Sequence, residues 1–81
     1  MRLFPNPVKD KFTIHDLQFT SGTAVEVSIL NVLGENIYVA SYSSITSNET
    51  ITVNCEIFPT GIYSLEIISD KKVYRTKFIK Q

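Results

Sequence analysis

One histidine and one cysteine are present in the chain, so His15 and Cys55 are the only residues that could act as a base and a thiol nucleophile together. A dyad needs the two side chains within hydrogen-bond reach, and the residues around each point them apart. Phe12 and Ile14 set the inward face of one strand, which turns His15 outward. Cys55 is in register with inward Ile51 and Val53, in apolar surroundings that keep a thiol protonated and inert. The pair reads as a surface histidine and a core cysteine. The same counts exclude a His-rich or Cys-rich metal centre and a disulfide within the chain. Carboxylates do no better, because Glu26, Glu35, Glu49, Glu56 and Glu66 fall singly at outward or turn positions. Calcium needs several converging oxygen ligands; the one close pair, Asp10 and Asp16, spans a strand, which leaves calcium open but unsupported. No catalytic residue, metal or cofactor is expected.

Binding chemistry is better represented. Tyr38, Tyr42, Tyr63 and Tyr74 could form a platform for sugar stacking, although each also suits a half-buried strand position, and there is no tryptophan. Tyr74-Arg75-Thr76-Lys77-Phe78 interleaves basic and aromatic residues as a nucleic-acid surface does, but an amphipathic strand spells the same pattern, and no nucleic-acid partner is expected. Asn48-Glu49-Thr50 matches a glycosylation acceptor, a triplet common by chance. Charge is segregated. The formal net charge is zero, yet residues 1–11 carry +2, 12–70 carry −7 and 71–81 carry +5. If the two ends lie close, Arg2, Lys9 and Lys11 join Lys71, Lys72, Arg75, Lys77 and Lys80 in one basic patch on an acidic body.

These residues must be positioned by strands. At 81 residues the chain holds one domain, and 43% hydrophobic with 20% charged residues is a globular balance. No run approaches the roughly 18 apolar residues of a membrane span, and residues 1–5 lack the apolar stretch of a signal peptide. The dominant period is two. Strands are expected at 12–15, 24–30, 37–40, 50–55, 62–68 and 73–79, with 41–48 as a loop or ragged edge. Gly34 supplies the left-handed position in the hairpin loop Asn31–Glu35, Phe58-Pro59-Thr60-Gly61 fits a type I turn, and Ser69–Lys72 turns the chain again. Phe4, Phe12, Phe19, Phe58 and Phe78 are expected in the core, and the last strand should turn Tyr74 and Phe78 inward and leave Arg75 and Lys77 in water. The pattern predicts an all-β fold, a small antiparallel immunoglobulin-like β-sandwich of six or seven strands, with a small closed barrel as the alternative.

Three patterns in a fixed order are similar to one family. Leu3-Phe4-Pro5-Asn6-Pro7 leads into Phe12-Thr13-Ile14; Val27–Ile37 is a hairpin closed on Gly34; and Phe58-Pro59-Thr60-Gly61-Ile62-Tyr63 resembles a Leu-Pro-x-Gly-x-Tyr turn and strand. A basic last strand follows, ending Lys77-Phe78-Ile79-Lys80. Together they resemble the type A C-terminal sorting domain of the type IX secretion system of Bacteroidota, over nearly the whole chain. Phe58 stands where the family has leucine, and Gln81 follows the final lysine. The resemblance implies a non-catalytic folded address, residues 1–81 forming one sorting domain cut from the end of a larger secreted protein. It also implies transit of the periplasm, recognition by the outer-membrane translocon and its shuttle protein, and removal at the surface by a sortase-like cysteine peptidase. The residues it marks for recognition are Pro5, Asn6, Pro7, Gly34, Gly61, Tyr63, Lys71, Lys72, Arg75, Lys77 and Lys80. A carbohydrate- or protein-binding module of a secreted enzyme, or a spacer, would share the fold.

Overall fold

The computed structural model describes residues 2–15, 23–45, 50–69 and 72–81. Their strands are β1 (Arg2–Phe4), β2 (Lys11–His15), β3 (Thr23–Leu30), β4 (Asn36–Ile45), β5 (Ile51–Asn54), β6 (Gly61–Ser69) and β7 (Lys72–Lys80), with no helix among the described residues. Two antiparallel sheets result, one in the order β1-β2-β5 and the other β4-β3-β6-β7. This is an immunoglobulin-like arrangement in which the fourth strand has joined the sheet of the third, sixth and seventh.

Alternation packs the sheets together. Phe12 and Ile14 from β2, with Ile51 and Val53 from β5, face Val25, Val27 and Ile29 from β3, Tyr63, Leu65 and Ile67 from β6, and Phe78 from β7, and all are buried. Val8, Cys55 and Phe58 close one end of this core. Phe12 crosses between the layers to Phe78, with ring centroids 4.9 Å apart, and Phe78 stacks on Tyr63 at 5.5 Å. No described polar side-chain atom is buried without a partner.

Several sequence expectations shift. The chain before Pro5 is itself a strand, pairing Arg2–Phe4 with Thr13–His15. Phe4 is 46% exposed and not in the core. It stands in an edge strand with the Arg2 guanidinium 4.7 Å above its ring and His15 against its edge. β4 runs on to Ile45, because Ser41 and Tyr42 continue the pairing with Glu26 and Val25 of β3. The hydrogen-bonded turn after β5 is Cys55–Phe58, closed by the Phe58 N–H on the Cys55 carbonyl at 3.0 Å, so Pro59 and Thr60 only carry the chain into β6. Phe19 and the Asn48-Glu49-Thr50 acceptor fall outside the fully described residues. Phe78→Ala, which removes the ring shared by both layers, is expected to cost about 3–5 kcal/mol. That is a large fraction of the stability of a domain this size, and it should appear as a large fall in the urea midpoint.

Candidate functional site

The chain segments that carry the sequence motifs meet at one end of the sandwich, where β2, β4 and β6 begin and β3, β5 and β7 end. The first segment is fastened to the last strand there. The Ile79 N–H donates to Asn6 Oδ1 at 3.1 Å. The Val8 N–H donates to the Ile79 carbonyl, and the Gln81 N–H to the Val8 carbonyl, each at 2.7 Å. Val8 thus forms a parallel bridge with Lys80 and is fully buried. Pro5 and Pro7, both exposed and both preceded by cis peptides, flank Asn6, whose side chain meets the β7 backbone. The seam also brings the basic stretch around Lys9 beside the end of the basic last strand.

The second motif is organised by Asn31. Its Oδ1 accepts from the N–H groups of Leu33 and Glu35, and its Nδ2 donates to Glu35 Oε1, each at 3.0 Å. Gly34 takes φ +81° and donates its N–H to the Asn31 carbonyl, a backbone geometry that costs a side chain little only in glycine. Val32 and Leu33 are left exposed at the tip. Between this loop and the outer face of the larger sheet lies an open groove of about 570 Å³, lined by Leu30, Val32, Gly34, Ile62, Arg75 and Lys77 among others. The Arg75 Nε is 2.9 Å from Glu66 Oε2, while Lys77 has no ion pair among the described residues.

The third motif is a clamp. Tyr63, near the start of β6, is buried and its hydroxyl donates to the Pro59 carbonyl at 2.5 Å. Its ring lies 5.6 Å from that of Phe58. A tyrosine that bonds back to the corner before its own strand is a recurrent device of immunoglobulin-like sandwiches. Phe58, in the leucine position, is buried there and also meets the edge of Tyr38.

The expected recognition residues are therefore not equivalent. Pro5, Asn6, Pro7, Gly34, Lys72, Arg75 and Lys77 are exposed, and the groove unites Gly34, Arg75 and Lys77. Lys80 departs from the expectation of a solvent-facing basic strand. It shares the inward parity of Phe78, is 7% exposed, and donates its Nζ to the Gln81 carbonyl at 2.9 Å. Gly61 is a strand residue paired with Lys80, and a methyl there would meet nothing within 4 Å. Its expected turn role is thus taken by Cys55–Phe58. Lys71 lies outside the described residues. Val8, Asn31 and Asn54, whose Oδ1 accepts the Glu56 N–H at 2.9 Å, also hold this end together, beyond the expected recognition residues. An asparagine at a strand end, just before a turn, was the available signal.

His15 and Cys55 lie on different sides, as alternation requires: Cys55 is fully buried and His15 half-buried beside Phe4. Burial pushes the Cys55 thiol up to about 11, with the Lys80 charge pulling the other way. Burial also raises the Tyr38 hydroxyl, with smaller contributions from Tyr42 and Cys55. No described cluster of His, Cys, Asp or Glu is arranged to hold a metal ion.

A family model described as the secretion system C-terminal sorting domain matches residues 2–81. No curated protein matches the chain.

Two outcomes follow from this geometry. Tyr63→Phe keeps the ring and loses the bond to Pro59, with an expected cost of about 0.5–1.5 kcal/mol in thermal or urea unfolding. The raised Cys55 pKa makes stability fully present below the thiol's ordinary range near 9 and progressively lost as pH rises from there through about 11. Cys55→Ala should flatten that alkaline limb, and in the native wild type the thiol should react with iodoacetamide at neutral pH only on unfolding.

Proposed function

The chain belongs to the secretion system C-terminal sorting domain family, and from that premise we propose that its recognition surface is the end of the sandwich where the motifs meet. Members of the family are sorting signals of type IX secretion. They engage that secretion system and send the protein to the cell surface or outside the cell, and the family is not a catalytic one. The match across residues 2–81 carries this conclusion. The finer steps are our proposal. The domain ends a larger cargo protein, waits folded in the periplasm, is read by the outer-membrane translocon and its shuttle protein, and is removed at the surface by a sortase-like cysteine peptidase.

The geometry supports a division of labour among the residues. Asn6, Tyr63 and Lys80 shape the end, bonded to the backbone of Ile79, Pro59 and Gln81 respectively. Gly34, Arg75 and Lys77 face the groove, where a receptor can reach them. The apolar tip Val32-Leu33 beside two cations is a surface that a partner with an apolar and acidic face would cover.

The test is an inert reporter carrying an upstream signal peptide, with these 81 residues at its C-terminus. It is expressed in a Bacteroidota strain with a working type IX system and in a mutant lacking the translocon. Surface or medium delivery is expected in the first strain alone. Arg75→Ala with Lys77→Ala should reduce delivery while leaving the unfolding midpoint in place. Asn6→Ala should lower both together. Delivery that is independent of the translocon would contradict the sorting role.

A further inference from the structure

Among the described residues, the last strand of the larger sheet has one side left to pair. β7 lies at the sheet edge with β6 as its only strand neighbour among the described residues. The Ile79 N–H donates to Asn6 Oδ1 and the Ile79 carbonyl accepts from the Val8 N–H, so both groups point away from β6. Pairing with β6 is unbroken from Lys72 to Lys80, and backbone groups alternate sides along a strand. The N–H and carbonyl groups of Val73, Arg75 and Lys77 consequently point the same way as those of Ile79, and none is bonded to a described residue.

The side chains along this edge set the chemistry of what could pair with it. Val73, Arg75 and Lys77 are exposed on the outer face, with Lys72 exposed at the start. Only Arg75 among them has an ion pair, to Glu66, and Arg75 remains 74% exposed. Tyr74 and Thr76, on the opposite face, are half-buried. We propose that β7 accepts an extended acidic segment of a protein partner as an added strand. In that strand carboxylates at alternate positions lie beside Arg75 and Lys77, and β-branched or aromatic residues between them lie beside Tyr74 and Thr76. The Val8 bridge at the far end shows this edge already pairing with an extended segment. A second copy of the same strand would set cations against cations. The other edge of the sheet, β4, has no charged residue from Asn36 to Ile45 with which to select a partner. The inference deepens the sorting role and rests on it only for where the partner resides.

The experiment titrates the 81-residue domain with an end-blocked peptide of about nine residues alternating glutamate and valine, long enough to span the free edge. A lysine–valine peptide is the control. Amide exchange should slow at Val73, Arg75 and Lys77 with the acidic peptide and stay unchanged at Tyr74 and Thr76, which already bond to β6. Lys77→Pro removes an N–H that the domain's own ladder does not use, and it should weaken binding about tenfold or more with the melting temperature retained. If that variant unfolds, the exchange pattern of the wild type decides. Equal binding of both peptides, no binding of the acidic one, or binding without protection of those three amides would overturn the proposal. So would a dimer in sedimentation that protects the same amides, since it assigns the edge to a second copy. In cells, equal delivery of wild-type and Lys77→Pro reporters removes the edge from sorting and leaves the sorting role intact. Failure of the wild-type reporter removes the sorting role and leaves the peptide result standing.

Discussion

The structure turns on the seam between Asn6–Val8 and Ile79–Gln81. Without it β7 would be held by β6 alone, as the outer arm of a hairpin. With it, the chain before β2 locks onto the strand end most distant from it in sequence. The asparagine side chain and the Val8 backbone supply the bonds, and burial of Val8 in the core holds them in place. Parallel pairing over a single bridge is weak in isolation. Here the fully buried valine adds roughly 1.5–3 kcal/mol of hydrophobic stabilisation to it. A contact that joins the first motif to the last strand is present only when the whole domain has folded.

The motifs that mark the family are for the most part bonding devices of the fold. Asn6 caps a strand, Asn31 and Gly34 form a loop, and Tyr63 clamps a corner. This does not remove them from recognition. A receptor that reads shape depends on the residues that set the shape, while its contacts fall on others. Arg75, Lys77 and the loop tip are exposed at the end those devices shape, so under the proposed reading loss of a device acts through stability and loss of a contact acts without it.

Much of the architecture was legible because period-two alternation fixes both strand and face. Cys55, Phe12, Ile14 and Phe78 are buried where their parity predicts. The same rule, carried one step further along β7, places Lys80 inward. It was obscured because charge suggests solvent, whereas a long lysine can bury its stem and satisfy its ammonium on a carbonyl. Phe4 misled in the opposite sense, its ring covered by Arg2 at an edge instead of packed between sheets. Ser41 and Ser43 concealed half of β4, since polar composition resembles a loop although an edge strand needs only one apolar face. The seam itself was beyond reach, because nothing local in Asn6 or Val8 names Ile79 as a partner.

An exposed strand edge is normally a liability, and charge is the usual way to blunt it. On β7 the charges have one sign, and this distinguishes protection from selection. Mixed charges would repel nothing in particular and attract weakly. Lys72, Arg75 and Lys77 on the same edge oppose a second copy of the strand, as well as any basic or neutral intruder that gains only backbone bonds. They leave one class of complement, an extended chain with carboxylates at the strand period. The half-buried Tyr74 and Thr76 add a second condition, since residues between those carboxylates must tolerate contact with the inner face. Backbone pairing supplies affinity without regard to sequence, and the alternation of cation and apolar surface supplies the discrimination. On the proposed reading, the three cations both disfavour self-pairing of the edge and select its partner.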